Sequence, residues 1–209
     1  MSNPNYLEVD VSRDIESPAE YMDPVCEAVE YLQRHLGKIT LGNVGRTYRF
    51  PKPIRDLRHE RLRWKERTND LHVISTDQLL SSNPKTTTHG LAIVRPLDGT
   101  IGERHALVSH SMYSVTKITT VHEIGHLLGG KKYGEHFDGK DHCSDTGCTM
   151  NSYLSQDIMA NYAISKDPVC LCDECLQQWE ENINGLIRLK NLATVPTVLD
   201  QPEIAASTN

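Results

Sequence analysis

Apolar and polar residues alternate from Tyr6 to Val11, and Leu7, Val9 and Val11 mark one face of a first strand. A helical period follows, with Tyr21, Val25, Val29, Leu32 and Leu36 forming a stripe that stops at Gly37. Two starts are open for this helix. Ser17-Pro18-Ala19-Glu20 offers an N-cap with proline at the first helical position, and Asp23-Pro24 offers a second. From Lys38 to Phe50 the pattern is that of strand and turn, punctuated by Gly42 and Gly45 and broken by Pro51 and Pro53.

Residues 54–69 are charged and read as a helix in which acids are interleaved with six basic residues, the pattern of a solvated face. Leu71 to Ser75 is a buried strand, 81–88 a loop, and Leu91 to Val94 another strand. Asp98-Gly99 marks a turn, His105 to Ser109 is a further strand, and a last helix, roughly Asp173 to Leu192, carries Leu176, Trp179, Ile183, Leu186 and Ile187. Alternating elements of this kind predict an α+β (mixed α/β) protein, with a mixed sheet packed on helices. The expected organisation is one domain over 1–195, containing a His/Cys-rich subregion at 131–178, and a frayed tail at 196–209 whose composition gives it little to bury.

A second helical stripe carries the chemistry. Val115, Ile118, Val121, Ile124, Leu127 and Leu128 share a helix face, and beside them runs Val121-His122-Glu123-Ile124-Gly125-His126-Leu127-Leu128-Gly129. His126 lies four positions after His122, so both imidazoles project from one face about one turn apart. Two neutral imidazoles so placed can hold Zn²⁺ and leave other positions open. Glu123 then stands where a carboxylate can take a proton from water at the metal. Gly129 suits the positive φ that ends such a helix.

Composition narrows the partners. The 209 residues are 38% hydrophobic and 24% charged, enough for a core in an ordinary soluble chain. A net charge of −6 argues against a nucleic-acid partner held by bulk charge, and no apolar run is long enough for a membrane span. The first residues show no basic region followed by an apolar stretch, so a cytoplasmic location is expected. In that setting the six cysteines read as thiols or metal ligands rather than disulfides. Cys26 stands alone and reads as a small buried hydrophobe. Cys143 and Cys148, with four residues between them, and the pair Cys172-x-x-Cys175 match a tetrahedral structural Zn²⁺ site. Cys170 is then taken as a spare thiol, with exchange for Cys172 as the alternative. The segment from Lys131 to Asn151 is polar and without period, and metal is what would order a loop of that length.

Taken in order, His122-Glu123-x-x-His126-x-x-Gly129, His142-Cys143-x-x-x-x-Cys148-x-Met150 and Cys172-x-x-Cys175 resemble the archaemetzincins, most clearly over 105–178. Weaker echoes lie upstream at Ile74-Ser75-Thr76-Asp77 and His89-Gly90-Leu91-Ala92. The resemblance implies a zincin-like metallopeptidase fold, a twisted mixed sheet on helices with a zinc-stabilised C-terminal part. It also implies two zinc ions per chain, one catalytic on three histidines and one structural on four cysteines, and Met150 as the floor beneath the first. In the family pattern the third histidine falls ten positions after the first, where this chain has Lys132. His142 keeps the His-Cys junction and is taken as the third ligand, with an insertion over 132–141. His136, Asp138 and Asp141 within that insertion are the alternatives.

The expected activity is hydrolysis of peptide bonds, as an aminopeptidase or otherwise. Glu123 serves as general base, and a peptide substrate lies beside the strand His105–Ser109 if that strand is the exposed edge. The alternative is a non-catalytic zinc protein that uses the same site to bind a peptide or partner.

Overall fold

The computed structural model describes residues 3–49, 70–78, 80–83, 86–95, 101–129, 142–151 and 169–193. The elements are β1 (Leu7–Asp14), a 3-10 turn (Ala19–Met22), α1 (Asp23–Leu36), β2 (Ile39–Tyr48), β3 (Leu71–Thr76), β4 (Leu80–Asn83), β5 (Thr86–Thr88), β6 (Gly90–Arg95), β7 (Glu103–Ser109), α2 (Tyr113–Leu128) and α3 (Asp173–Ala193). The expected helix over 54–69, the turn at Asp98-Gly99, the insertion over 132–141 and the tail over 196–209 lie outside the described residues.

Five strands form one mixed sheet in the order β2-β1-β3-β7-β6. The pairs β2·β1, β1·β3 and β3·β7 are parallel, and β6 runs antiparallel to β7. Strand β7 is therefore paired on both sides, and β6 is the antiparallel edge. This corrects the reading in which His105–Ser109 is the exposed edge. The stretch predicted as a loop over 81–88 also differs, since β4 and β5 pair there as an antiparallel hairpin. The β-branched threonines 86–88 suit a strand, and the polar composition of the stretch concealed it.

Strand residues alternate between two buried faces. Leu7, Val9, Val11, Leu71, Val73, Ala106 and Val108 join Val25, Val29 and Leu32 of α1, Ile118, Val121 and Ile124 of α2, and Trp179 and Ile183 of α3 in one core. The opposite face carries buried polar groups, Asp10, Ser12, Asp14, His72, Thr76 and Ser109, around a small cluster of Ile74, Leu80 and Leu107. Strand β1 continues to Asp14 because its outward positions are covered rather than wet. The alternation of Asp10 and Ser12 with Val9 and Val11 does not disclose that cover.

Helix α2 is buried on nearly all sides, between α1, β6 and β7, with α3 also against it. Its β-branched run Val115-Thr116-Lys117-Ile118-Thr119-Thr120-Val121 is a modest helix former, so packing rather than propensity stabilises it. Two hydroxyls bond back into the helix, Thr116 Oγ1 to the Met112 carbonyl at 3.0 Å and Thr120 Oγ1 to that of Thr116 at 2.8 Å. Helix α1 begins at Asp23-Pro24, the second of the two starts read from the sequence, and Gly37 ends it at φ 67°. Helix α3 is tied to the N-terminal segment by Lys190, whose Nζ donates to the carbonyls of Asn3 and Tyr6 at 3.0 and 2.9 Å and to Asp70 Oδ2 at 2.6 Å. No helix among the described residues is long and apolar enough to cross a membrane.

His72 sits on the polar face, with Nε2 at 2.8 Å from Ser12 Oγ and its ring edge-on to that of His105. Burial first, then the neighbouring His105 charge, lowers its pKa to about 3, with Asp10 opposing and Arg46 adding. Its folded pKa lies below the unfolded value, so its contribution to stability is complete above pH 6.5 and is lost as pH falls from 6.5 towards 3. Between pH 7 and 5.5 this group should remove about 1 kcal/mol of stability. Urea unfolding at the two pH values, for wild type and His72→Asn, should show a smaller decline in the variant. Equal declines would mean that another group titrates.

Candidate metal centre and its neighbours

His122 and His126 project from the last two turns of α2, and His142 stands just before the Cys143 turn. Each of the three can offer one ring nitrogen to a common point, all within 4.8 Å of one another. The Nε2 atoms of His122 and His126 are 3.1 Å apart. Two nitrogens on a tetrahedral zinc at 2.0–2.1 Å stand about 3.3 Å from each other, so the helix already holds them at ligand spacing. The His142 ring lies 5.3 and 5.0 Å, centroid to centroid, from those of His122 and His126. His142 thus lies together with the pair. His136, Asp138 and Asp141 lie outside the described residues.

Nδ1 of His122 is 2.8 Å from the Thr149 carbonyl. A carbonyl only accepts, so Nδ1 carries the proton and the Nε2 lone pair is left facing the other imidazoles. This is the partner a metal-binding histidine requires.

Glu123 is buried between α2 and the start of β6. A Cβ added at Gly90 would collide with its carboxylate, lying 2.7 Å from Cδ. Glycine at position 90 is therefore what lets β6 approach the carboxylate. Burial pushes the Glu123 carboxyl up to about 8. A dication on the histidines would favour the charged form.

The cysteines form a second, separate cluster. Cys143, Cys148, Cys172 and Cys175 converge, with Cys143 Sγ 3.7 Å from Cys172 Sγ and Cys148 Sγ 3.8 Å from Cys175 Sγ. These spacings are far beyond an S–S bond, and they equal the edge of a tetrahedron with Zn–S of 2.3 Å, about 3.8 Å. The backbone N–H groups of Asp145 and Met150 donate to Cys143 and Cys148 Sγ at 3.3 and 3.5 Å, as suits thiolates. The neighbouring Cys175 thiol holds Cys148 low, to about 5, against its burial. Cys170, expected to be spare, is exposed and outside the four. Cys26 is half-buried against the core, with its thiol pushed up to about 11 by burial, as fits the packing role read from the sequence.

Behind α2, Met150 and Trp179 press on Gly125, where a Cβ would meet Trp179 Cη2 at 2.9 Å and Met150 Sδ at 2.5 Å. At the end of α2, Arg104 Nη1 donates to the Leu127 carbonyl and Asn182 Nδ2 to that of Gly129. Gly129 takes φ 71° with an extended ψ of 126°, so the helix ends on a positive φ but leaves in an extended direction. Sequence reading did not single out Thr149, Trp179, Arg104 or Asn182. Trp179 was foreseen only as one apolar residue of a helical stripe, and Gly90 only within a short echo. None of these belongs to a ligand motif, and their roles depend on contacts remote in sequence.

No protein-family model matches this chain, and no curated protein matches it. Among solved structures it is similar to the archaemetzincin of Methanopyrus kandleri at 17% identity, with a TM-score of 0.62, covering 86% of this chain and 97% of that one. It is also similar to the archaemetzincin of Archaeoglobus fulgidus, solved with malonate, at 15% identity and a TM-score of 0.51, covering 82% and 99%. The protein thus has an archaemetzincin-like fold, as the motif resemblance implied, with a histidine triad and a four-cysteine cluster that each fit a metal ion.

The close packing at Gly125 yields a stability test. Gly125→Ala should destabilise by about 1–3 kcal/mol through overpacking against Trp179 and Met150. Thermal unfolding of the variant measures it. An unchanged Tm would show that α2 can shift away from α3 freely.

Proposed function

We propose that the protein is a zinc-dependent metallopeptidase that hydrolyses peptide bonds. In this reading His122, His126 and His142 hold the catalytic zinc, Glu123 is the general base, and Cys143, Cys148, Cys172 and Cys175 hold a second, structural zinc. The observation that carries it is the convergence of three imidazoles on one point beside a buried carboxylate, at the antiparallel edge of a sheet. Three protein nitrogens leave a tetrahedral ion one further position, the pattern of catalytic rather than structural zinc.

When bound, zinc supplies Lewis acidity that polarises the scissile carbonyl and acidifies water. Glu123 removes a proton from the attacking water and later delivers it to the leaving amine nitrogen. Its burial excludes competing solvent from the carboxylate, and the Gly90 backbone fixes where it lies. Among the described residues strand β6 pairs on one side only, next to this carboxylate, so an extended peptide would add there as a further strand. The substrate side of the site is thus β6, in place of β7. A purely binding role for the same residues has less support, because a buried carboxylate beside the three imidazoles suits proton transfer and a binding site has no need of one there.

The test joins metal content to activity. Wild type should carry two zinc ions per chain, and His142→Ala should lose one. Glu123→Gln should keep both while peptide hydrolysis falls by about 10²–10⁴-fold. Hydrolysis by Glu123→Gln at the wild-type rate would remove Glu123 from the mechanism. A His142→Ala variant retaining both ions would remove His142 from the ligand set. Absence of hydrolysis by zinc-loaded wild type across a peptide library would favour the binding role.

A further inference from the structure

The two candidate metal centres are joined through Thr149 as well as through the His142–Cys143 junction. Thr149 follows Cys148, precedes Met150 and is fully buried. Three of its groups are engaged. Its N–H donates to the Cys170 carbonyl at 2.7 Å, and its Oγ1 accepts from the Cys170 N–H at 3.2 Å. Its carbonyl accepts from His122 Nδ1 at 2.8 Å. Cys170 therefore grips Thr149 at two points, and Thr149 in turn orients a histidine of the triad.

The same residue is locked to the cysteine cluster. Cys148 is its chain neighbour, and Cys172 lies two residues beyond Cys170. The turn that carries it is closed by Cys143 N–H on the Met150 carbonyl and by Asn151 N–H on that of Cys148, both at 2.9 Å. Asn151 Nδ2 adds a bond to the Cys143 carbonyl at 2.9 Å. Both strands of backbone that hold Thr149, one from Cys148 and one from Cys170, run directly into cysteine ligands. A cysteine cluster drawn together on a metal fixes both, and with them the Thr149 carbonyl.

We propose that Thr149 is a positioning residue that couples the two centres, so that loading the cysteine cluster raises the metal affinity of the histidine triad. The proposal rests on the metal-site reading above. A valine would fill the same buried space, and what threonine adds is the hydroxyl that receives the Cys170 N–H. Hydrogen-bond partners behind metal-binding histidines typically carry 10–100-fold in metal affinity. The His122–carbonyl bond itself survives a side-chain change, so the effect of losing the hydroxyl falls at the lower end of that range.

The experiment uses the full chain with Zn²⁺, measured by competition against a chromophoric chelator. Co²⁺ substitution reads the cysteine cluster through its sulfur-to-metal charge-transfer band. Thr149→Val should weaken the histidine centre about tenfold and leave the cobalt band unchanged, and Thr149→Ser should restore the wild-type affinity. Wild type gives a second reading that requires no variant. The first equivalent of Zn²⁺ should enter the cysteine cluster and slow the solvent exchange of the His122 Nδ1–H proton, which the Thr149 carbonyl already holds at 2.8 Å. Unchanged affinity of the histidine centre in Thr149→Val, equal weakening of both centres, failure of serine to restore, or no change at His122 on the first equivalent each overturns the coupling. Wild type that takes no metal at the histidines, while the cysteines fill, overturns the metal-site reading and the coupling with it.

Discussion

A hydrogen bond of 2.8 Å between His122 Nδ1 and the Thr149 carbonyl joins the buried helix α2 to the turn that carries two of the four clustered cysteines. Everything proposed for the chemistry depends on it. It determines which ring nitrogen of His122 has a lone pair for metal. It also seats the Cys143–Asn151 turn against the helix, and that turn brings His142 to the other two histidines. Met150, carried on the same turn, reaches Gly125 from below. One short segment thus supplies a third imidazole, the partner of the first, and the floor beneath the helix.

The rest of the fold keeps α2 fixed while that happens. A helix rich in threonine and valine would be marginal in water, and its stability comes from burial between the sheet, α1 and α3. Glycines at 90 and 125 permit the closest approaches, one to the carboxylate of Glu123 and one to Trp179 and Met150. At both points the absent side chain matters more than any that is present. Position 90 also bears on the proposed chemistry, because glycine there lets strand β6 lie against the Glu123 carboxylate.

Much of this was legible in the sequence, for identifiable reasons. The His122–His126 spacing is fixed by helix geometry, and the paired cysteines by the reach of a tetrahedral ion. The helical stripes of α1, α2 and α3 were regular enough to place all three. His142 was reached only through the resemblance of the His-Cys junction, and the structure brings it to the pair. The edge strand was not legible. β6 and β7 are both short apolar runs, and which one is outermost follows from the order of pairing rather than from either sequence. The β4–β5 hairpin was hidden by its polar composition, and the covered polar face of Ser12, Asp14 and His72 by an alternation that resembles solvent exposure. Thr149 gave no pattern at all, because its role lies in hydrogen bonds of its carbonyl and its hydroxyl to residues 27 and 21 positions away.

X-ray absorption at the zinc edge tests the central claim most directly, on protein loaded with two equivalents of Zn²⁺. The account expects two superposed environments, one of four sulfurs at about 2.3 Å and one of three imidazole nitrogens with a light atom at about 2.0–2.1 Å. A spectrum of sulfur ligands alone, with the second equivalent left unbound, would contradict it.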